Sequence, residues 1–567
     1  MAISKTTTEP DLQLRLPGVG VPREQFEVDL DGDHGEVFTR PWVVELILDL
    51  VGYMPDAPLH ERVLVEPSCG SGAFLVPIAK RVSAACRQHG VGLASAEDAV
   101  RACDLLPRNV ALARAAVGQT LLDDGWPAED VRKIVERWIR RDDFLLDDDW
   151  LLGSVDFVVG NPPYIRLEDL PPDRNLAYRK AWPSMGGRAD IYVGFIEKGL
   201  RLLRPHGRLG FICADRWMRN QYGATLRELV SERYSVEAVI TMHDVDAFDS
   251  EVSAYPAVTV LANRAQAEAL VVDTNARFDA ASAREVVAFT GSKKRTLSTN
   301  AFGAARLPHW FSGRESWPQG SPERLEMLEY LSDSFPPLQD EATGTRVGIG
   351  VATGADGVYV VPAKVDVEHD RLVPLSMVKD ITSGSFVWTG HYLVSPWHQD
   401  GLVDLTKYPK LSAYYGQREH EMRRRNVAMK RPVTWYRTID RVDPRLTKRP
   451  KLLIQDMRTA IHPVLDEGHA YPHHNLYYVT SDGWDMKALG GILLSDFANA
   501  FVEAYAVKMR GGTLRFQAQY LRRIRVPNLA DLDAKDVALL VEAFDRRDRL
   551  QATAVTARLF GLKGLPA

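Results

Sequence analysis

Up to about residue 290 the chain alternates short apolar runs with amphipathic stretches. The runs in RVLVEPSCGSG, AVRACD, VDFVVGNPPY and GRLGFICADRW end in Gly, Asp or Pro, and stretches such as GAFLVPIAKRVSAAC and LPRNVALARAAV between them carry helical spacing. This alternation predicts βαβ units and an α/β fold: a Rossmann-like, doubly wound, mostly parallel sheet. Two later runs, SVEAVITMHD and YPAVTVLANR, have no convincing helix between them and predict that the sheet finishes in an antiparallel hairpin. Beyond residue 290 the pattern loosens into Gly-, Pro- and Trp-rich stretches with short strands, as in RVGIGVATGADGVYVVP. The expected organisation is an N-terminal extension over 1–35, partly flexible, an α/β domain over 36–290, a mixed α/β domain over 300–528 and a C-terminal helical element over 529–567.

Composition narrows the class. The 567 residues are 45% hydrophobic and 26% charged, ordinary for a globular protein. The sequence has no apolar run of about eighteen residues and does not open on a secretion signal, so a cytoplasmic protein without a membrane partner is expected. Cys69, Cys86, Cys103 and Cys213 lack CxxC spacing and read as reduced thiols. His462, His469, His473 and His474 show no fixed ligand spacing, so no metal is expected.

A formal charge of -5 argues against indiscriminate coating of nucleic acid, but residues 415–451 carry twelve Lys or Arg against four Asp or Glu. Interleaved with Tyr415, Trp435 and Tyr436, this segment reads as a phosphate-tracking surface, with a solvated helix face as the alternative. Its candidate DNA contacts are Arg423, Arg424, Arg425, Lys430, Arg431 and Arg437.

The candidate chemistry sits at predicted strand ends. VLVEPSCGSGAFL puts Glu66 at the end of one strand, followed by Gly70 and Gly72 in the turn before a helix, where backbone can approach a ligand closely. No GK[ST] follows, so the loop is not a phosphate-cradling Walker A. Asp104 ends the next run, suited to a ribose diol or, alternatively, to capping a helix. Asp143 and Phe144 follow a third, suited to an adenine amino group and face.

The turn Asn161-Pro162-Pro163-Tyr164 addresses a specific problem. The lone pair of an exocyclic amine on an aromatic ring is delocalised and poorly nucleophilic. Two acceptors, the side-chain oxygen of Asn161 and the proline-restrained carbonyl of Pro162, would draw its hydrogens out of plane and localise the pair. Tyr164 would offer a stacking face worth roughly 1–3 kcal/mol. Neither a cysteine nucleophile nor a histidine base is required.

The order of these motifs, FTRPW, then EPSCGSGAF, then NPPY, then a recognition-type region, resembles the gamma group of S-adenosylmethionine-dependent methyltransferases, the TaqI-like adenine-N6 DNA methyltransferases of restriction-modification systems. The resemblance covers about residues 36 to 262 and, more loosely, the second domain. It implies that residues 36–290 are an S-adenosylmethionine-dependent catalytic domain and 300–528 a target-recognition, DNA-binding domain. It further implies that Thr39 and the loop Glu66, Pro67, Ser68, Cys69, Gly70 and Gly72 hold the methionine part of S-adenosyl-L-methionine, Asp104 its ribose, and Asp143 and Phe144 its adenine. Asp190 and Tyr192 in DIYVGF would line the same pocket. Tyr164 would stack on a flipped base with Phe248 opposite it, Tyr255 being the other candidate. The implied partners are double-stranded DNA and a cognate restriction endonuclease or defence-system protein. Two other readings stand beside it: a protein-glutamine N5 methyltransferase, which shares the NPPY turn, and a catalytically silent DNA-binding subunit of a defence complex.

Overall fold

The structure is a computed structural model that describes residues 38–147, 152–249, 255–308, 311, 313–362, 365–506 and 513–566. The N-terminal extension expected over 1–35 lies outside the described residues. The chain divides into two compact units, Met1–Pro322 and Glu323–Ala567.

The first unit is built on a ten-stranded sheet. Its strands are β1 (Leu64–Glu66), β2 (Val100–Asp104), β3 (Ile139–Arg141), β4 (Val155–Gly160), β5 (Leu203–Ala214), β6 (Ser235–Thr241), β7 (Pro256–Ala262), β8 (Ala269–Thr274), β9 (Thr296–Ser298) and β10 (Phe302–Leu307). They lie in the order β3-β2-β1-β4-β5-β7-β6-β8-β10-β9. From β3 to β5 all neighbours are parallel, and parallel neighbours need long crossovers. These include α2 (Leu75–Gln88) after β1, α3 (Pro107–Asp123) and α4 (Ala128–Trp138) after β2, and α5 (Pro172–Ala181) and α6 (Tyr192–Leu202) after β4; α1 (Pro41–Leu50) precedes the sheet. Successive strand residues face opposite layers, so Leu64 joins Ile78, Val82, Val110 and Ile134 while Val65 joins Val158, Phe195, Leu200 and Trp217. Each fully buried large aliphatic side chain in these layers contributes about 1.5–3 kcal/mol.

The hairpin expected near the end of the sheet is present, since β7 lies antiparallel between β5 and β6. The sheet does not finish there. Inserting β7 leaves the largely buried β6 with an open edge, which β8 covers in parallel, followed by β10 and β9. The first unit consequently runs past the boundary near 290, to Pro322.

In the second unit, Arg346–Ile349, Leu476–Thr480, Lys451–Gln455 and Val464–Asp466 form an antiparallel sheet. A second sheet joins Val360–Val361, Tyr392–Val394, Leu372–Ser376 and Tyr471–Pro472. The closing helices Ala534–Arg546 and Arg549–Leu559 bury Leu540, Phe544 and Val555 in one core with Leu452, Val479 and Phe497. Gly490 and Gly491 permit this approach, because a Cβ at either would collide with Phe544 or Leu540. The C-terminal helical stretch is therefore part of this unit's core. Among the described residues no helix is long and apolar enough to cross a membrane.

Candidate active site

The C-terminal ends of β1, β2, β3 and β4 meet at one cavity of about 700 Å³. Parallel strands all present their carboxyl ends on the same edge, so four stretches distant in sequence deliver their turns to one place. Glu66, Pro67, Ser68, Cys69 and Gly70 line the cavity after β1, Asp104 at the end of β2, Asp142, Asp143 and Phe144 after β3, and Asn161, Pro162, Pro163 and Tyr164 after β4. Phe38 and Thr39 line it from ahead of α1.

The turns are tied to each other. Asp104 accepts from the Gly70 N–H with one oxygen (2.9 Å), and from the Leu106 N–H (2.9 Å) and Asn109 Nδ2 (3.2 Å) with the other. A carboxylate at the end of β2 thereby fixes the loop after β1, which requires the left-handed backbone of Gly70 (φ +50°). The hydroxyl of Ser68 donates to the Asn161 carbonyl at 3.4 Å, joining the glycine loop to the NPPY turn. Asp143 accepts from the Tyr178 hydroxyl (2.8 Å) and the Leu145 N–H (3.0 Å). Phe144 stacks on Phe195, with ring centroids 5.3 Å apart.

Five carboxyl side chains, Glu66, Asp104, Asp142, Asp143 and Asp169, line the cavity against one guanidinium, Arg174. Glu66 is 1% exposed, and burial together with nearby Asp104 pushes its carboxyl well above the usual range. Burial also raises Asp143, although Tyr178 and Arg174 pull it back. Glu66 Oε2, Thr39 Oγ1 and Tyr164 Oη are buried without a hydrogen-bond partner among the described residues. Buried polar atoms are ordinarily satisfied, and an acidic wall with such acceptors suits a cationic ligand with polar groups better than a phosphate.

Four expected residues stand elsewhere. Gly72 (φ +102°) does not line the cavity; a Cβ there would sit 3.3 Å from the Ala113 Cα, so the glycine serves the packing of the loop against α3. Asp190 and Tyr192 do not line it either, and Ile191 and Phe195 do. Helical spacing explains this, since Ile191 and Phe195 are four apart at the start of α6 and share a face. Asp190 and Tyr192 instead bond the Tyr222 hydroxyl, at 3.2 and 2.8 Å. Phe248 is 6% exposed, bridges to Thr39 and meets Tyr164 edge-on, at 6.4 Å and 86°. The expected pair of opposing faces is not formed.

Among the lining residues that the sequence pattern does not mark are Arg174 and Tyr178 of α5, which reach Asp143. Their spacing of four along PDRNLAYRK places them on one helix face, the one signal available.

In the second unit the basic segment splits in two. Arg425 is committed to the protein: it donates to the carbonyls of Met422 (2.9 Å), Thr353 (3.1 Å) and Trp435 (2.7 Å) and to the Tyr359 hydroxyl (3.1 Å). Arg423 pairs with Glu419 at 2.6 Å and lies over Trp435, and half-buried Arg437 lies over Trp397. Tyr415 is fully buried and Trp435 and Tyr436 pack against the same core, so these aromatics are structural. Arg424, Lys430 and Arg431 are exposed, alongside exposed Met429 and Val433.

Comparison with known proteins gives this arrangement a family. The family described as Eco57I restriction-modification methylase matches residues 132–248. The chain is 43% identical to the Type II methyltransferase M.PaeR7I of Pseudomonas aeruginosa, over 93% of this chain and 92% of that protein. It is 41% identical to the Type II methyltransferase M.XhoI of Xanthomonas vasicola, over 94% and 97%. Among solved structures, the Type IIL restriction-modification enzyme MmeI in complex with DNA is similar in fold, with a TM-score of 0.54 at 11% identity, over 93% of this chain and 74% of that one. With near-full-length likeness at this level of identity, the chain belongs to the Type II restriction-modification methyltransferases.

Proposed function

We propose that this protein transfers a methyl group to the N6 amino group of a flipped adenine at a specific sequence in double-stranded DNA, as the modification component of a restriction-modification or defence system. The observation that carries this reading is that Asn161–Tyr164 and the Glu66–Gly70 loop line a single cavity and are joined through Ser68.

The cavity's own chemistry fits S-adenosyl-L-methionine. Glu66 and Thr39, with buried oxygens lacking a partner among the described residues, would receive the methionine end. Asp104 would take the ribose, and Asp143 and Phe144 the adenine. When bound, the cofactor supplies a methyl on a positively charged sulfur, and the acidic lining suits that charge. Asn161 Oδ1 and the Pro162 carbonyl would accept the two N6 hydrogens and hold the nitrogen lone pair toward the donor side of the cavity. Pro163 restricts the backbone before it, keeping the Pro162 carbonyl in place. Tyr164 would carry the base on its face, Phe248 having to rotate from its edge-on position to cover the other side. Extrusion of the base costs a few kcal/mol, and exposed Arg424, Lys430 and Arg431 of the second unit are the side chains we assign to the flanking phosphates.

Incubation with methyl-labelled S-adenosylmethionine and mixed-sequence duplexes, followed by mapping of modified bases, tests the proposal. Label in adenines at one short sequence is expected; label only in protein would overturn it.

A further inference from the structure

Three side chains in the second unit, brought together from distant parts of the chain, have no role in the reaction above. We propose that Asp356, His473 and His474 form a binding site for a divalent transition-metal ion of the zinc type. Their ligand atoms all lie within 4.8 Å of one another. His473 Nε2 stands 3.1 Å from Asp356 Oδ2, close to the separation of about 3.3 Å between neighbouring donors of a tetrahedral ion bound at about 2.0–2.2 Å.

A hydrogen-bonded His–Asp pair would account for that contact alone, but not for the second imidazole. The two histidine rings are 4.0 Å apart between centroids. The Nδ1 atoms of both are buried and lack a partner among the described residues. The His473–Asp356 contact leaves His474 Nδ1 unexplained, and an ion taking one lone pair from each imidazole, through Nε2 of His473, would hold both rings and the carboxylate together. Two nitrogens and one carboxylate oxygen form the donor set that imidazole-loving zinc, cobalt or iron prefers over magnesium or calcium.

The backbone holds this set in place. His473 N–H donates to the Ser376 carbonyl and His474 N–H to the Val351 carbonyl, both at 3.1 Å. Val351 and His473 form a parallel bridge, and Gly350 admits it because any Cβ there would collide with the His473 carbonyl. On the other side, the Thr353 hydroxyl donates to Asp356 Oδ1, orienting the carboxylate, while Thr353 itself receives the Ala355 N–H at 3.1 Å. His473 is 3% exposed and Asp356 47% exposed, so the protein covers one side of the site and leaves a fourth coordination position toward solvent. The ion would pin the turn at residues 351–356 to the turn at 473–474. Histidine spacing alone could not show this, because Asp356 and His473 are 117 positions apart.

The test uses full-length protein stripped with a chelator and desalted, titrated with Zn²⁺ against a chromophoric competitor and, separately, with Co²⁺ followed by visible absorption. The wild type should bind about one equivalent, and Co²⁺ should give d–d bands without a thiolate charge-transfer band, because the four cysteines are buried in the first unit. His474→Gln and Asp356→Asn, with unchanged circular dichroism, should weaken Zn²⁺ binding at least about tenfold, a loss of ~1.4 kcal/mol or more, and Zn²⁺ should raise the unfolding temperature of wild type only. Failure of stripped wild type to take up Zn²⁺, or wild-type affinity in folded His474→Gln, would overturn the proposal. Neither readout depends on methyl transfer, so the metal site and the proposed reaction stand or fall separately.

Discussion

Glu66→Gln should move stability and cofactor affinity in opposite directions. The side chain is 1% exposed, one of its oxygens has no partner among the described residues, and Asp104 lies close enough to add repulsion. Because the folded state favours the protonated carboxyl, Glu66 contributes stability that is fully present below its unfolded value of about 4.3 and is lost as pH rises toward its raised folded value, at ~1.4 kcal/mol per pH unit. Glutamine keeps the shape and has no proton to lose. The apo variant should therefore be more stable than wild type, by a margin that widens from about pH 4.3 upward until Glu66 ionises. The cation-holding role predicts the reverse for binding. A charge-assisted hydrogen bond is worth about 1.5–3 kcal/mol, so the variant should bind S-adenosylmethionine roughly 10–100-fold more weakly. Wild-type affinity should also rise more steeply with pH than the variant's, because only wild type has the raised Glu66 carboxyl to deprotonate. Denaturant melts and calorimetric titrations across pH 5–8 measure both. Equal affinities with parallel pH profiles would refute the assignment of Glu66 to a cationic ligand.

Other positions give narrower tests. Asn161→Ala should lower the turnover of methyl transfer by about 10²–10³-fold, as removal of an aimed hydrogen-bonding group does, with cofactor affinity almost unchanged in the same titration. Gly72→Ala forces a side chain into a left-handed backbone beside Ala113 and should cost about 1–2 kcal/mol in denaturant melts. Arg424→Ala and Arg431→Ala should each reduce the slope of log affinity against log salt by about 0.9 in DNA-binding titrations. Arg425→Ala should instead lower the denaturation midpoint, since its donors serve protein oxygens.

Strand ends were legible in the sequence because short apolar runs stop at polar turns, and a parallel sheet gathers those turns on one edge. That logic marks Glu66, Asp104, Asp143 and Asn161 as strand-end residues, and all four line one cavity. It failed where position depends on packing around a helix. Asp190 and Tyr192 look like cavity residues in DIYVGF, but the turn into α6 presents Ile191 and Phe195. The basic run was readable as charge, yet charge does not tell a guanidinium that faces solvent from one like Arg425 that braces carbonyls of its own unit. Continuation of the sheet through β8 to β10 was hidden because it follows from which strand β7 leaves at the edge.

The central claim is that the Asn161 turn activates an exocyclic amine of a base beside the Glu66 loop. Mass spectrometry of nucleosides from duplex DNA treated with wild type and with Asn161→Ala tests it most directly. N6-methyladenine should accumulate about 10²–10³-fold faster with wild type than with Asn161→Ala. Its absence alongside 4-methylcytosine, or equal amounts from the two proteins, would contradict the account.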